Sequence, residues 1–502
     1  MMRRPAGRTP RVVLGLLALA TLSPRPVRAD AVVGTGTPDS CTEAELTAAL
    51  SNGGNITFDC GPSPATITVV RTQTIAANTT VDGGGVITFS GGGASQAALF
   101  SVSPAATLAL ANLTIADAPS GAIFNEGTLT VTHSTFAGNG GLTGHGGAIY
   151  NGGVMTVTDS TFSGNSASRT INSAGYGGAI ENAGQSNIAT TTFSGNGAPL
   201  GGAIYNGFLY ALTVTNSTFN DNAKGLSNSG GAIDNAGALT VTNTTFSDNG
   251  GGPTGIGGAT YNTGTLAVAN CTFSGNSAGY GGAINNGGPV RLTTPAQLTV
   301  TNSTFSRNSA TRDGAAIANF WWSALLVNTL VVHSTAGENC FAQKAATNDG
   351  GHNLDDGTSC GFSPVHGSLN NTDPKLDPAG LKDNGGPTET IALEPGSPAI
   401  NRGDEAVCAA PPVNNLDQRG YMRPGTGRVN CSIGAYEYTS SAAPAGDCNG
   451  DGGVTIDELL TMASIALGTA PIGTCAAGDA NHDNRITVNE IVAALHCSLS
   501  GC

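Results

Sequence analysis

Two runs near the C-terminus have the residue types and spacing to hold a hard cation. The first places Asp447, Asn449, Asp451 and Glu458 in the pattern D-x-N-x-D-G-x5-E, with Gly452 at the sharp turn. Ca2+ takes about six to eight oxygens, and a loop of this kind supplies them from alternate side chains, one main-chain carbonyl, a bridging water and a two-oxygen glutamate. Gly453 would give the carbonyl, Thr455 would stand at the water, and Glu458 would close the site. The second run repeats the plan with Asp479, Asn481, Asp483, Arg485 through its carbonyl, Thr487 and Glu490. Asn484 replaces the turning glycine, and Asn accepts the left-handed backbone better than most residues. The expectation is two Ca2+ sites. Each opens onto a short helix, with Leu459, Met462, Ala463, Ala466 and Leu467 on one apolar face and Ile491, Ala494 and Leu495 on the other.

A second group of candidates sits on the repeated phrase "GGAIYN" and its variants. If the isoleucine of an extended strand points inward, the next residue points outward. That outward place reads Phe124, Tyr150, Glu181, Tyr205, Asp234, Tyr261 and Asn285 along the chain. Stacked strands rise about 4.8 Å, which would set Glu181 and Asp234 about 10 Å apart with Tyr205 between them. Carboxylates near that separation suit an inverting glycosidase, whose pair stands roughly 6.5–9.5 Å apart. Tyr150, Tyr205 and Tyr261 could instead stack on sugar rings, and the plain reading of the lane is a solvated face. His145 lies in "GHG", but no Asp-Asp precedes it and no Arg-x-Lys follows. It therefore reads as a solvated corner, with catalysis as the alternative. Calcium-assisted cleavage of an acidic polysaccharide would need clustered carboxylates and an Arg or Lys base. Between residues 60 and 340 the sole lysine is Lys224, and Arg71, Arg169, Arg291, Arg307 and Arg312 fall near corners away from any such cluster.

Internal repetition supplies the elements that would position these groups. Units related to "GGAIYNGGVMTVTDSTFSGNSA" begin at Gly146, Gly177, Gly201, Gly230, Gly257 and Gly281. Their closing phenylalanines, Phe136, Phe162, Phe193, Phe219, Phe246, Phe273 and Phe305, are 26, 31, 26, 27, 27 and 32 residues apart. A fixed period with small insertions marks stacked coils with variable corners. Inside a unit the period is two: Leu212 and Val214 alternate with Thr213 and Thr215, and Phe219 points in again after a bend. Three short strands per coil of about 27 residues predict an all-β parallel β-helix. Asn recurs after the first strand (Asn151, Asn182, Asn206, Asn235, Asn262, Asn286) and in "SGN" (Asn165, Asn196, Asn276), where stacked amides can bond from coil to coil. Residues 55–115 read as earlier coils, and "CTEAELTAAL" from Cys41 reads as a capping helix opened by Thr42 and Glu45.

These repeats resemble the right-handed parallel β-helix proteins, including pectate-lyase-like and polymorphic surface proteins, and the hand follows from that resemblance and the general rule for parallel crossovers. From about 348 to 438 the wording changes to "DNGGPTETIALEPGSPAINRGD", "DQRGYMRP" and "CSIGAYEY". This block resembles the choice-of-anchor (type Q-like) C-terminal domain of bacterial surface β-helix proteins, which implies an anchoring tail after it. The tail, 446–502, resembles the paired-loop, EF-hand-like dockerin modules, a small α-helical fold. That resemblance implies calcium binding and a protein partner. Dockerins commonly carry Ser-Thr at their cohesin-contacting places, where this chain has Ile456–Asp457 and Val488–Asn489, so a cohesin partner does not carry over. The organisation expected is a signal peptide at 1–29, a β-helix with its capping helix at 30–345, the anchor-like block at 346–438, a linker at 439–445 and the calcium module at 446–502.

The first 29 residues pair a basic end (Arg3, Arg4, Arg8, Arg11) with the apolar run "VVLGLLALATL" and small residues Val27 and Ala29 before Asp30, the pattern of an export signal. Its removal takes six of the 20 basic residues and none of the 34 acidic ones, leaving a net charge of about −20. That charge argues against a nucleic-acid partner. No transmembrane segment remains after the signal. Export permits disulfides. Proximity in sequence pairs Cys41 with Cys60, Cys340 with Cys360 and Cys408 with Cys431, and Cys448, Cys475, Cys497 and Cys502 would form two more bridges. Cys271 falls where other repeats have Ser160 and Ser217, and reads as a buried small residue. The functional expectation is a secreted or cell-surface protein with a structural, adhesive or glycan-binding role. The alternative is an extracellular polysaccharide lyase or glycoside hydrolase.

Overall fold

The computed structural model describes residues 31–93, 98–141, 144–170, 174–223, 229–288, 295–344, 347–425, 428–438, 446–448, 454–480 and 484–500, with the backbone alone for Cys497, Leu499 and Ser500. The expected signal segment 1–29 and linker 439–445 lie outside them.

The chain winds into a parallel β-solenoid of about 12 coils with about 26 residues each. A typical coil holds a short strand (Ile149–Asn151), a five-residue strand (Val154–Thr158) and a three-residue strand (Thr161–Ser163). Each pairs in parallel with its counterpart one coil on, Ile180–Asn182, Gln185–Ala189 and Thr192–Ser194. Short strands form an 11-stranded sheet, and the other two kinds share a 23-stranded sheet. Between the five- and three-residue strands one residue turns left-handed. His133, Asp159, Thr190, Asn216, Asn243, Asn270, Asn302 and Asn328 all have φ of 45–51° there. This bend lets both strands turn apolar side chains into one core, and its preference for Asn and Asp reflects their tolerance of that backbone.

Three uniform lanes hold the coils in register. The phenylalanines from Phe136 to Phe305 stack face to face, with centroids 4.6–5.0 Å apart and planes within 11°. Buried asparagines Asn125, Asn151, Asn182, Asn206, Asn235, Asn262, Asn286 and Asn319 pass a side-chain N–H to the next amide oxygen at 2.7–2.9 Å. The second asparagine lane is longer than "SGN" alone predicts, because Asn139, Asn222, Asn249 and Asn308 join Asn165, Asn196 and Asn276. A buried amide is tolerated only when its polar atoms are paired, and here each coil pairs those of the next.

The N-terminal end is covered by a helix. The helix Glu43–Asn52 starts at Thr42, whose hydroxyl accepts from the Glu45 N–H, and it buries Leu46, Ala49 and Leu50. At the other end strand pairing continues through Leu354–Asp355. The chain then returns along the outside of the three-residue strands. Gln418 accepts from the Thr272 hydroxyl and donates to Thr245 and Thr388, while the Ala435 N–H donates to Thr304. The "DQRGYMRP" motif is structural: Asp417 pairs with Arg419 at 2.7 Å and Glu437 with Arg423 at 3.3 Å, all four buried. Arg419 also lies between the rings of Tyr421 and Tyr436.

Four disulfides are present among the described residues, Cys41–Cys60, Cys340–Cys360, Cys408–Cys431 and Cys448–Cys475. The three solenoid and block pairs match the expectation. In the tail the bridge joins Cys448 to Cys475. The side chain of Cys497, and Cys502 entirely, lie outside the described residues. No helix of the described residues is long and apolar enough to cross a membrane.

Candidate functional site

The outward lane of the short strands has the expected register: Phe124 faces Tyr150, then Glu181, Tyr205, Asp234, Tyr261 and Asn285 follow one coil at a time. It is not the solvated face that strand alternation predicts. Glu181 is 7% exposed, Asp234 4% and Asn285 fully buried. The cause is the corner preceding each strand. Tyr176, Leu200, Ser229, Ile256 and Tyr280 bridge one another in a parallel lane of their own. The glycines that follow press the chain onto the strand. A Cβ on Gly177 or Gly201, at φ 58° and 67°, would stand 1.9–2.0 Å from the carbonyl oxygen of Ile180 or Ile204. The corner lane therefore covers the strand lane.

This packing joins two residues that look unrelated in sequence. His145 occupies the corner place ("GHGGAI") that Tyr176 occupies one coil later ("GYGGAI"). Its Nδ1 lies 2.8 Å from Oε2 of Glu181. His145 is exposed, as the solvated-corner reading expects, but its ring is also paired with the buried Glu181. Its ring is edge-on to Tyr150 at 5.9 Å and near-parallel to Tyr176 at 6.2 Å, and Tyr176 meets Tyr205 at 4.6 Å. Burial pushes the Glu181 carboxyl above the ordinary carboxylate range, while the bonds from His145 and the Gly146 N–H pull it partly back. Tyr176 is the member of this cluster that strand periodicity misses. Aligning the residue before each Gly-Gly-Ala would find it.

Asp234 stands between Tyr205 and Tyr261, two coils from Glu181. Burial raises its carboxyl well above the usual value, and it raises the Tyr205 and Tyr261 hydroxyls as well. A water-activating base needs access to water and an ionised form. Asp234 is buried away from water, and that burial disfavours its ionised form, so the geometry does not favour Glu181 and Asp234 as an inverting pair.

Among the described residues the cover stops on the N-terminal side of His145. The preceding coil reaches its short strand through Pro119, Ser120 and Gly121 and leaves Phe124 38% exposed. A mostly apolar groove of about 450 Å³ opens there, lined by Thr72, Ser101, Ser120, Phe124, His145 and Tyr150 among others. The Phe124 and Tyr150 rings form its wall, stacked at 4.8 Å and within 6° of parallel.

In the tail, the first and last carboxylates of each expected loop, Asp447 and Glu458, Asp479 and Glu490, are buried. Oε2 of Glu458 accepts from the Thr455 N–H at 2.7 Å, and Oε2 of Glu490 from the Thr487 N–H at 2.8 Å. Asn484 is left-handed at φ 61°. The helices Ile456–Ala466 and Val488–Ser500 follow the two runs, and Met462 and Ala494 share a small core with Val454 and Ile486. Arg485 is described, whereas Asn449, Asp451, Gly453, Asn481 and Asp483 lie outside the described residues.

The family described as "Right handed beta helix region" matches residues 100–256 and 169–353, together half of the chain. No curated protein matches. Among solved structures, that of the PL6 family alginate lyase AlyGC is similar at 15% identity, with a TM-score of 0.39. The likeness covers 73% of this chain and 55% of the lyase, so the chain spans about half of that protein's length.

Proposed function

From the premise that this chain belongs to the right-handed β-helix family, we propose a secreted or surface-bound glycan-binding protein whose binding site is the groove at Phe124 and Tyr150. The observation that carries this reading is the stacked aromatic wall on an otherwise covered lane. Flat rings with exposed faces bind the C–H faces of pyranose rings, and the groove volume lies within the range of about 300–1,000 Å³ ordinary for small-ligand sites. Four disulfides favour an oxidising compartment. Calorimetric titration of the full chain with a panel of oligosaccharides tests the reading. Phe124→Ala should weaken whatever binds at least tenfold without changing the circular dichroism, and equal binding by the variant would count against the groove.

The returning block 346–438 and the tail would act as the anchoring end, in the manner of the choice-of-anchor and dockerin-like modules they resemble. Asp447, Thr455 and Glu458 with Asn449, Asp451 and Gly453 would hold one Ca2+. Asp479, Thr487, Glu490 and the Arg485 carbonyl with Asn481 and Asp483 would hold the second. The ions would neutralise the buried carboxylates of Asp447, Glu458, Asp479 and Glu490. Two calcium sites are expected by calorimetry, and Glu458→Gln should remove one while the strand dichroism stays unchanged. A second reading, polysaccharide cleavage, is favoured by one feature: a histidine oriented by a buried glutamate at the mouth of the groove. Release of reducing ends that disappears in His145→Ala would establish it.

A further inference from the structure

We propose that the groove selects neutral saccharides and rejects uronates and sulfated sugars. This rests on the glycan-binding reading above and adds the class of sugar. Three observations carry it. First, His145 is the only basic side chain among the described residues that line the groove, and Glu181 already holds its Nδ1 at 2.8 Å. A sugar carboxylate placed beside Tyr150 would have to compete with a buried protein carboxylate for the same ring. Second, the carboxylates that act on Tyr150 are negative: both Glu181 and the exposed Glu126 act on its hydroxyl, adding to the effect of its burial in holding the proton on. The field that disfavours a phenolate disfavours any anion bound at that place. Third, the remaining polar lining consists of the hydroxyls of Thr72, Ser101 and Ser120. These satisfy sugar hydroxyls at a rim around the aromatic wall, but they cannot replace the hydration of a carboxylate taken out of water.

The wall also sets the manner of binding. Phe124 and Tyr150 follow each other one coil apart with their rings stacked in parallel, so one face of Phe124 lies against Tyr150 and the other is turned toward the preceding coil at Ser101, where the groove opens. A chain of neutral hexoses lying along this wall would bury C–H surface on the rings while its hydroxyls meet the rim.

The test is calorimetric titration of the full chain with cellohexaose, mannohexaose and xylohexaose, and in parallel with hexagalacturonate and hexamannuronate. The expected result is that at least one neutral hexasaccharide binds at least tenfold more tightly than either acidic one, and that Phe124→Ala and Tyr150→Ala each weaken it tenfold or more. Glu126→Gln, an exposed change, should leave the neutral affinity alone and raise the acidic affinity a few-fold. Acidic binding as tight as neutral, and lost in Tyr150→Ala, would overturn the selectivity while leaving a glycan-binding groove in place. Binding that neither aromatic variant weakens, or no binding by any of the five sugars, would overturn the groove reading and the selectivity with it.

Discussion

Neighbouring positions on one short strand follow opposite rules. The asparagine lane repeats one residue through eight coils, every member fully buried. The lane one residue earlier, from Phe124 to Ala318, uses six residue types in eight coils. Both lanes are largely covered, so exposure does not explain the difference. What does is the identity of the partner. Each amide in the first lane bonds to the same amide one coil on, so a change at one coil strands a donor below and an acceptor above. The second lane is met by corner side chains that vary from coil to coil, such as His145 over Glu181 and Tyr176 over Tyr205. A lane that answers to itself stays uniform and carries the fold, and a lane that answers to the corners can vary and carry chemistry.

The largest effect should come from breaking the uniform lane. Asn235 accepts from Asn206 at 2.7 Å and donates to Asn262 at 2.8 Å, so Asn235→Ala leaves both neighbours with buried unpaired groups. A loss of about 3 kcal/mol in urea unfolding is expected, from about 1–3 kcal/mol per stranded group. Phe124→Ala, in the varied lane and half-exposed, should cost about 1 kcal/mol or less. Equal costs would show that the two lanes do not differ in kind.

A smaller effect separates members of the varied lane by pH. The folded Asp234 carboxyl is raised by burial, so the folded state holds its proton to higher pH than the unfolded chain, whose Asp titrates near 3.9. The stability associated with the protonated form is therefore fully present below that pH and declines as pH rises toward the folded value. Asp234→Asn, which keeps the shape and cannot ionise, should match the parent near pH 4 and melt higher at pH 8. A melting difference that does not change with pH would mean that Asp234 finds a partner when ionised.

Legibility followed the same division. The period-two strands, the phenylalanine stack, most of the asparagine lanes and the three solenoid and block disulfides could be placed from residues that repeat or lie near one another. The cover over Glu181 could not, because strand alternation reports only inward and outward, and what lies above an outward residue depends on how the preceding corner folds. The two glycines of "GGAI" do carry that information, since they permit the close approach that brings His145 over a glutamate 36 residues later. The return of Gln418 to Thr245, 173 residues earlier, has no periodic signal at all. A strap that binds by hydrogen bonds to regularly spaced threonines could engage any coil that offers them.

The smallest effect is expected where the chain departs from its own rule without a change of role. Between the left-handed bend and the three-residue strand, the coils from His133 to Asn328 place a small residue, and in seven of them Ser134, Ser160, Thr191, Ser217, Thr244, Ser303 and Thr329 donate their hydroxyls to the carbonyl two residues back at 2.7–2.9 Å. Cys271 stands in this lane and makes the same bond through Sγ to Ala269 at 3.2 Å, while its own N–H donates to the Ser303 hydroxyl. The thiol is fully buried, and burial pushes it up to about 12, so it should react slowly with alkylating reagents in the native protein. Cys271→Ser replaces a weak donor by the stronger one that the lane uses elsewhere, at the cost of some sulfur volume, and stability should change by about 1 kcal/mol or less. Cys271→Val keeps the volume and removes the donor and acceptor, leaving the Ala269 carbonyl and the Thr244 N–H without this partner, and should cost more, about 1–3 kcal/mol. Urea unfolding of the two variants side by side decides what holds the lane. If Val is tolerated as well as Ser, volume and not hydrogen bonding sets this position, and the rule that self-bonded lanes must stay uniform does not extend beyond the asparagines.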